Sequence, residues 1–462
     1  MLNKDHRYLK LVKYKNIENW SVSHILGMNM GFNKKYPLIP IGHIIEKSIN
    51  SINIEDHVTY KQITLKINGG GTVLRDVKPG KLIGTKKQFV VSAGQFIMSK
   101  IDARNGAFGV IGTDLDGAVV TADFPVFNVV KERVTPEYLT LVSSTAQFVR
   151  FAQTCSRGTT NRQRIDVNLF LSQKIPLPSL SEQQALIKSY NNKIQQAETL
   201  EKHASEIEQN IEDYLLTELG IKQNINTANH KDEIKKEYKY LKFIKFKDSE
   251  RWDADFLFGT ASIDYIYSSK FSIVHARDFI LNCQYGSSNK ADKNSSNIPV
   301  LRMNNIQNGE FNTADLKYLA LSKKELSSYK LNKGDLVFNR TNSKELVGKT
   351  AVFDMDGDYV FASYLIRVVL DSAKANVYYI NYLFGSKIVR DQIDLISRQI
   401  LGQANINVDE MKAFLIPLPP LSVQEEIVIN INKIKTQIKE LRQQAANLRK
   451  EALEKFEKEI FE

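Results

Sequence analysis

The second half of this chain repeats the first half. The segment RIDVNLFLSQKIPLPSLSEQQ, residues 164–184, matches NINVDEMKAFLIPLPPLSVQE, residues 405–425, at a constant offset of 241 residues. Further upstream the offset becomes 240 residues, as in Phe124 against Tyr364. A match that persists over this range with one slipped residue predicts two copies of one folding unit.

Each copy carries the signals of a mixed α+β block. VSAGQFIMSKID and LNKGDLVFNRTN both place a glycine before an apolar run, which predicts a turn leading into a strand. TPEYLTLVSSTAQFVRFAQ and NVYYINYLFGSKIVRDQI each predict an amphipathic helix. The prolines of IPLP predict an extended segment, and Ser181 and Ser422 after it are candidate N-caps.

A long helix with a narrow apolar seam is predicted after each IPLP motif. Apolar residues in 182–219 and 423–461 recur at spacings of three and four residues, which is typical of coiled coils. A lone helix cannot bury such a stripe, so we expect the two helices to pair with each other. The predicted organisation is a globular block, a helix, a linker, a second block and a second helix, at 1–180, 181–220, 221–240, 241–421 and 422–462.

The charge of the chain is unevenly distributed. The net charge is +11, and residues 1–180 hold 24 Lys and Arg against 13 Asp and Glu. The first helix, 181–220, carries a net charge of −5, whereas 221–421 carries +5. This distribution favours two basic modules that face a polyanion, joined by elements that face protein.

Several classes of protein do not fit the sequence. No apolar run is long enough to span a membrane, the start has no secretory pattern, and Cys155 and Cys283 cannot form a disulfide framework, so we expect a cytoplasmic protein with no membrane partner. Gly348-Lys349-Thr350 resembles the end of a phosphate-binding loop, but Ser343 stands where its first glycine is required. With no motif of adenine methylation and no metal-ligand cluster, we expect a non-catalytic binding protein.

Both copies contain loops rich in Arg, Lys, Asn, Gln, Ser and Thr. Arginine suits guanine, Asn and Gln suit adenine, and Ser, Thr and Lys suit phosphate. The candidate DNA contacts are Arg157, Thr159, Thr160, Asn161, Arg162, Gln163 and Arg164 in the first copy, and Ser287, Asn289, Lys290, Arg302, Asn304, Asn305, Asn339, Arg340, Asn342, Lys344, Arg398 and Gln403 in the second.

These segments resemble the specificity subunit of type I restriction–modification systems. The resemblance is carried by IDARNGAFGV, SRGTTNRQRI, VLRMNNIQNGEF, GDLVFNRTNSKELVGKTAVF and the doubled IPLPxLSxQ with its helix. It implies two target-recognition domains held apart by two antiparallel helices, each domain reading one half of a split site in double-stranded DNA. Lys100, Arg104 and Asn105, in and beside IDARNGAFGV, complete the candidate contacts.

The resemblance also implies partners. Two methylation subunits dock largely around the helices of such a subunit, and motor-nuclease restriction subunits join them. S-adenosylmethionine, ATP and Mg²⁺ are then expected on those partners and not on this chain. Two alternatives fit the same residues. One is a specificity subunit of a methyltransferase-only or type IIB-like modification system, and the other is a non-specific DNA-binding coiled-coil scaffold.

Overall fold

The computed structural model describes residues 35–157, 164–222, 263–294, 296–396, 398–400 and 403–462. It divides into two compact units. Unit 1 comprises Met1–Lys202 and Leu441–Glu462, and unit 2 comprises His203–Glu440. Helices and strands are mixed in both units, which confirms the α+β class.

Unit 1 contains short strands and helices from the first half of the chain. Its strands are β1 (Leu38–Pro40), β2 (Ile45–Lys47), β3 (Ser51–Asn53), β4 (Thr59–Leu65), β5 (Thr72–Pro79), β6 (Lys87–Val90), β7 (Phe96–Met98), β8 (Phe108–Val110), β9 (Val119–Val120), β10 (Val126–Val129), β11 (Ser156–Arg157), β12 (Arg164–Ile165) and β13 (Lys174–Pro176). Its helices are α1 (Pro136–Ser143), α2 (Ala146–Thr154) and α3 (Val167–Ser172). The sheet orders are β2-β10-β7-β8 and β3-β6-β9-β4-β5, with the pairs β1-β13 and β11-β12.

Unit 2 contains the corresponding elements of the second half. Its strands are β14 (Ile273–His275), β15 (Ile280–Tyr285), β16 (Ile298–Leu301), β17 (Ile306–Gln307), β18 (Glu310–Phe311), β19 (Lys317–Leu319), β20 (Leu336–Asn339), β21 (Thr341–Asn342), β22 (Thr350–Val352), β23 (Val360–Phe361), β24 (Leu365–Leu370), β25 (Arg398–Ile400), β26 (Gln403–Asn405) and β27 (Leu415–Pro417). The short helices are α5 (Lys323–Tyr329), α6 (Val377–Gly385), α7 (Lys387–Ile396) and α8 (Val408–Lys412). Here the sheet orders are β15-β24-β20-β22, β19-β16-β23 and β21-β26-β25, with the pairs β14-β27 and β17-β18.

Two long helices, α4 (Leu180–Glu218) and α9 (Leu421–Phe461), contribute residues to both units. Within unit 1 they run antiparallel, because Lys193 pairs with Glu451 at 2.6 Å and Glu201 pairs further along with Arg449 at 3.0 Å. Within unit 2, Asn430 of α9 donates to the Tyr214 hydroxyl of α4 at 2.9 Å. The seam residues Ala197, Ala204, Ile431, Ala445 and Ala452 are all buried.

The predicted helix in the middle of each block is two helices in the structure. TPEYLTLVSSTAQFVRFAQ forms α1 and α2, because Thr145 takes an extended backbone and its hydroxyl accepts from Phe148 N as a new N-cap. NVYYINYLFGSKIVRDQI likewise forms α6 and α7, separated at Ser386. The apolar periodicity was therefore right for the helical state and wrong for the continuity of the helix.

The predicted N-caps of the long helices are also wrong by position. Helix α4 begins at Leu180. Ser179 N–H donates to the Glu182 carboxylate and Glu182 N–H donates to the Ser179 hydroxyl, so Ser179 caps the helix and Ser181 lies inside the first turn. Hydrogen bonds from the Ser179 hydroxyl and backbone hold the pKa of Glu182 below its usual value. Helix α9 begins directly after Pro420, and Ser422 again lies inside the helix.

A buried glutamine connects the start of each long helix to its block. In unit 1, Gln183 accepts from Thr135 N at 2.9 Å and donates to the Arg133 and Pro178 carbonyls, both at 2.9 Å. This glutamine is fully buried at 0% exposure. Because Thr135 is the N-cap of α1, the glutamine fixes the start of α1 against the start of α4.

Unit 2 has the same arrangement at Gln424, which is also 0% exposed. Its side chain accepts from Asn376 N at 2.8 Å and donates to the Lys374 and Pro419 carbonyls at 2.9 and 2.8 Å. In addition, the Tyr379 hydroxyl donates to the Pro417 carbonyl at 2.7 Å, as Tyr138 does to Pro176 in unit 1 at 3.1 Å. Buried hydrogen bonds thus satisfy the glutamine and the proline carbonyls of each IPLPxLSxQ motif.

Hydrogen bonds also refine the alignment of the two halves. Lys100 N donates to the Asp123 carbonyl at 2.8 Å, and Arg340 N donates to the Tyr364 carbonyl at 3.1 Å. Asp123, and not Phe124, therefore has the position of Tyr364, so the offset is already 241 residues at this point. The second half therefore has its one additional residue before Tyr364, beside Gly357, where the offset is still 240 residues.

Candidate nucleic-acid interface

In unit 1 three of the candidate residues meet at the base of the β11–β12 ribbon. The Lys100 carbonyl, just after β7, accepts from Ile165 N at 2.8 Å. The neighbouring Arg164 forms an ion pair with Asp123 at 3.2 Å, and Asp123 in turn accepts from the backbone of Lys100. Arg157 pairs with Arg164 across the ribbon. Lys100, Asp123 and Arg164 form a group that we call the Arg164 cluster.

Arg104 and Asn105 lie on a short turn between β7 and β8. The Arg104 carbonyl accepts from Gln153 Nε2 at 2.9 Å, and the Asn105 carbonyl accepts from Asn68 N at 2.7 Å. The Asn105 side chain is exposed, whereas that of Arg104 is half-buried. The backbone of the turn is therefore held on both sides, and the Asn105 side chain faces solvent.

Part of the predicted set lies outside the residues described. This applies to Thr159, Thr160, Asn161, Arg162 and Gln163, which follow β11 in the sequence. The structure describes the backbones of Arg157, Arg398 and Gln403, which lie in β11, β25 and β26. All of these positions remain predictions.

In unit 2, Arg340 has the backbone position that Lys100 has in unit 1. The Arg340 carbonyl accepts from Ile406 N at 2.9 Å, so the arginine is held between β24 and the end of β26. The next residues form β21, in which Thr341 pairs with Asn405 and Asn342 with Ala404. The β26 strand also pairs with β25, which brings the backbone of Arg398 opposite Asn405.

A tyrosine that the sequence analysis did not single out completes this arrangement. The guanidinium carbon of Arg340 lies 4.8 Å from the centroid of the Tyr285 ring, within range of a cation–π interaction. Tyr285 is 42% exposed at the end of β15. We call Tyr285, Arg340, Thr341, Asn342 and Asn405 the Arg340 patch. Tyr285 could not be singled out from the sequence, because a Tyr-Gly pair does not reveal which side chain the tyrosine ring will contact.

The segment after Tyr285 approaches the backbone of β23 closely. A side chain at Gly286 would place its Cβ 2.3 Å from the Phe361 carbonyl oxygen, so only glycine fits. Ser287 is buried, donates its N–H to that carbonyl at 2.8 Å and accepts from Asn289 N with its hydroxyl at 3.2 Å. Ser287 therefore shapes the turn, while Asn289 and Lys290 are exposed.

The loop that contains Arg302, Asn304 and Asn305 is held together by its own side chains. Arg302 donates to the Asp315 carboxylate at 3.0 Å and is only 13% exposed. This contact holds the pKa of Asp315 below its usual value. Asn305 is 2% exposed, and only Asn304 presents its side chain to solvent.

The Asn305 amide makes three hydrogen bonds within this loop. It accepts from Arg302 N at 3.0 Å and donates to the Asn312 and Asp315 carbonyls at 2.8 and 3.0 Å. These contacts do not favour a base-reading role for Asn305, since its donors and acceptor are already used. The physical reason is that a buried amide must satisfy its polar atoms within the protein.

Replacing Asn305 by alanine should therefore destabilise unit 2. We expect Asn305→Ala to lower the free energy of unfolding by about 1–3 kcal/mol, because three backbone groups lose their partner. The exposed neighbour provides the control, and Asn304→Ala should stay within about 0.5 kcal/mol of the parent. Urea unfolding of both variants checks this, and equal stabilities would contradict the structural role of Asn305.

Asn339 has a similar internal position. It is 0% exposed and donates to the Leu346 carbonyl at 3.2 Å, which closes the loop that carries Asn342 and Lys344. Lys344 is exposed, and Asn342 is half-buried with its Oδ1 accepting from Ser343 N at 2.9 Å. Of the described candidates on this loop and on β21, Arg340, Asn342 and Lys344 have side chains that solvent can reach.

Metal-ligand clusters and membrane-spanning helices are absent from the described residues. Among the described residues, no group of three or more His, Cys, Asp and Glu could hold a metal ion. The described helices include none that is long and apolar enough to cross a membrane. Exposed cations and amides on short loops remain, and they suit the phosphates and base edges of nucleic acid.

Part of the chain matches the model of a known protein family. Residues 278–449 match the model of the type I restriction modification DNA specificity domain. This part of the chain is therefore similar to a type I specificity domain. The Arg340 patch lies entirely within the matched residues, and the match confirms the family resemblance inferred from the sequence motifs.

Curated relatives of the chain are specificity subunits. A segment of 169 residues is 28% identical to the EcoKI specificity subunit of Escherichia coli strain K12 and covers 36% of each chain. A segment of 153 residues is 26% identical to a Methanocaldococcus jannaschii protein assigned as the MjaX specificity subunit, covering 33% of this chain and 36% of that protein. The matches thus span about a third of the length of these relatives.

A solved structure shares the fold over most of the chain. It comes from work on complex assembly and conformational transition of the type I R-M system. The similarity has a TM-score of 0.53 at 14% sequence identity and covers 92% of this chain and 98% of the other. At this identity the likeness shows the fold alone.

Proposed function

We propose that this chain is the sequence-specific DNA-binding subunit of a type I restriction–modification complex, and that it directs adenine methyltransferase and restriction subunits to a bipartite DNA site. The observation that carries the proposal is that the Arg340 patch lies inside the matched specificity domain. A specificity domain needs exposed donors and acceptors on a rigid frame, and the patch provides them on β21 and β26.

A second observation supports a two-part site. The backbones of Lys100 in unit 1 and Arg340 in unit 2 make equivalent hydrogen bonds. Lys100 bonds with Asp123 and Ile165, and Arg340 bonds with Tyr364 and Ile406. We propose that the blocks 1–180 and 241–421 are two target-recognition domains, each reading one half-site with its own side chains. In this proposal, the helices 181–220 and 422–462 form an antiparallel coiled coil that holds the two domains apart. Residues 221–240 are the linker into the second domain.

The long helices fit the docking of protein better than contact with DNA. The first helix carries a net charge of −5, which repels phosphate. Its Glu201 is engaged with Arg449 and Arg442 inside unit 1. We propose that two methylation subunits bind around these helices, that motor-nuclease subunits join them, and that S-adenosylmethionine, ATP and Mg²⁺ are bound by those partners in the cytoplasm.

Methylome sequencing tests the proposed function directly. A host that carries this gene should contain methylated adenines in one bipartite motif, and deletion of the gene should remove methylation from that motif alone. Re-introduction of the gene on a plasmid provides the control and should restore the motif. An unchanged methylome in the deletion strain, with the methylation subunits expressed, would overturn the proposal.

The isolated chain should carry out no chemistry of its own. We expect neither methyl transfer from S-adenosylmethionine nor Mg²⁺-dependent cutting when the purified chain is given DNA without partners, because the sequence has no motif for either reaction. Addition of the methylation subunits should restore methyl transfer in the same assay. Reproducible activity of the chain alone would show that the role is enzymatic.

A further inference from the structure

Arg340 differs from the other half-buried arginines of unit 2 whose side chains are described. Arg302 binds the Asp315 carboxylate, Arg367 donates to the Lys330 carbonyl at 2.7 Å, and Arg390 binds the Asp394 carboxylate at 3.1 Å. Within the described part of the chain, the guanidinium of Arg340 contacts the Tyr285 ring and makes no hydrogen bond or ion pair. Its terminal Nη donors are therefore available to a ligand.

The surroundings of Arg340 also restrict how it can move. Its backbone is hydrogen-bonded on both sides, to Tyr364 and to Ile406. Its side chain rests on the face of Tyr285, and its Nε is fully buried. A guanidinium held against a ring keeps a fixed plane and loses little further entropy when it binds. The terminal Nη1 and Nη2 atoms are thus the groups that remain to meet an acceptor.

The ligand that fits a fixed planar fork in DNA is the major-groove edge of guanine. Its O6 and N7 atoms accept two parallel hydrogen bonds from one arginine. A phosphate also accepts such a pair, but a phosphate contact does not require the guanidinium plane to be fixed at the edge of a strand. The adjoining Thr341 and Asn342 extend the same patch with neutral donors and acceptors.

We infer that Arg340 reads one guanine in the half-site bound by unit 2, and that Tyr285 is the positioning residue that orients it. This inference rests on the proposed function. Unit 1 has Lys100 at the equivalent position, and an ammonium is a point charge without a planar fork. Guanine readout from this backbone position therefore belongs to the half-site of unit 2 and not to that of unit 1.

The test uses the complete complex with its methylation subunits. The methylated motif of the parent is determined first, and modification rates are then measured on duplexes that differ from it at one base pair. Arg340→Lys should reduce the preference for guanine at one position of one half-site by roughly tenfold to a hundredfold, and leave the other positions unchanged. Tyr285→Ala should relax the same position, whereas Tyr285→Phe, which keeps the ring, should not.

An exposed arginine provides the matched control, and Arg277→Lys should retain the parent motif in full. The preference is a ratio within one preparation, so partial loss of folded protein cannot imitate the expected result. A uniform loss of rate on every duplex would identify Arg340 as a phosphate contact and overturn the inference, as would an unchanged motif or a parent half-site without guanine. If the parent complex itself modifies no specific motif, the proposed function fails instead.

Discussion

A chain in which residues 241–404 are replaced by the equivalent block of a relative is expected to direct methylation to a new motif with one half changed and the other half retained. The reason is that the Arg340 patch and the loops around it lie almost entirely within this block, whereas the Arg164 cluster lies in unit 1. The change in specificity should be complete for that half, because we propose that side chains on those loops supply its base contacts.

The structure shows which relatives are suitable donors. The block must keep the backbone N–H of residue 376 in place for Gln424 and the hydroxyl of residue 379 for Pro417, because both bonds join the block to the remainder of unit 2. A donor with tyrosine at position 379 and an N-cap residue at 376 meets this need. The reciprocal exchange of residues 1–163 is the control and should alter the opposite half of the motif. A change in both halves, or in neither, would show that the blocks do not read DNA independently.

The largest expected loss of stability comes from Gln424. We expect Gln424→Leu to lower the free energy of unfolding of unit 2 by about 2–4 kcal/mol, because leucine keeps the volume but leaves Asn376 N–H and the Lys374 and Pro419 carbonyls without partners. The same substitution at Gln183 should have a similar effect on unit 1, where the three bonds are equivalent.

Hydrogen–deuterium exchange locates this effect. The Asn376 amide and the first turn of α6 should exchange faster in Gln424→Leu, since the amide is no longer hydrogen-bonded. An exposed glutamine on the same helix provides the control, and Gln443→Leu should remain within about 0.5 kcal/mol of the parent. Equal protection of α6 in the parent and the Gln424 variant would show that the buried glutamine does not hold the block to the helix.

Local pattern was sufficient for several features of this protein. Gly94 and Gly334 both have positive φ before the strands predicted after them, and the IPLP segments are extended as two prolines require. The apolar seams predicted the long helices to within a few residues of their ends. These properties depend on backbone preferences and on periodicity, both of which are written in short stretches of sequence.

The roles of individual polar residues depended on contacts that are distant in the sequence. Arg302 and Arg340 looked alike as loop arginines, but one is neutralised by Asp315 and the other lies on Tyr285. The glutamines of the IPLPxLSxQ motif were visible as a repeat, yet their partners at 135 and 376 lie 48 residues away. No local pattern specifies such partners, because burial is decided by which surfaces the fold brings together.

The sequence by itself determined the α+β class, the two long helices and the family resemblance, because motifs and periodicity can be recognised without knowledge of packing. Only the tertiary structure decided that the helix predicted in the middle of each block is broken, at Thr145 and at Ser386, that Asn305 and Asn339 are buried, and that the Arg340 guanidinium lies on the Tyr285 ring. The physical reason is that the role of a polar side chain depends on the atoms that it contacts. Whether those atoms are protein or solvent is settled by the packing of the complete unit.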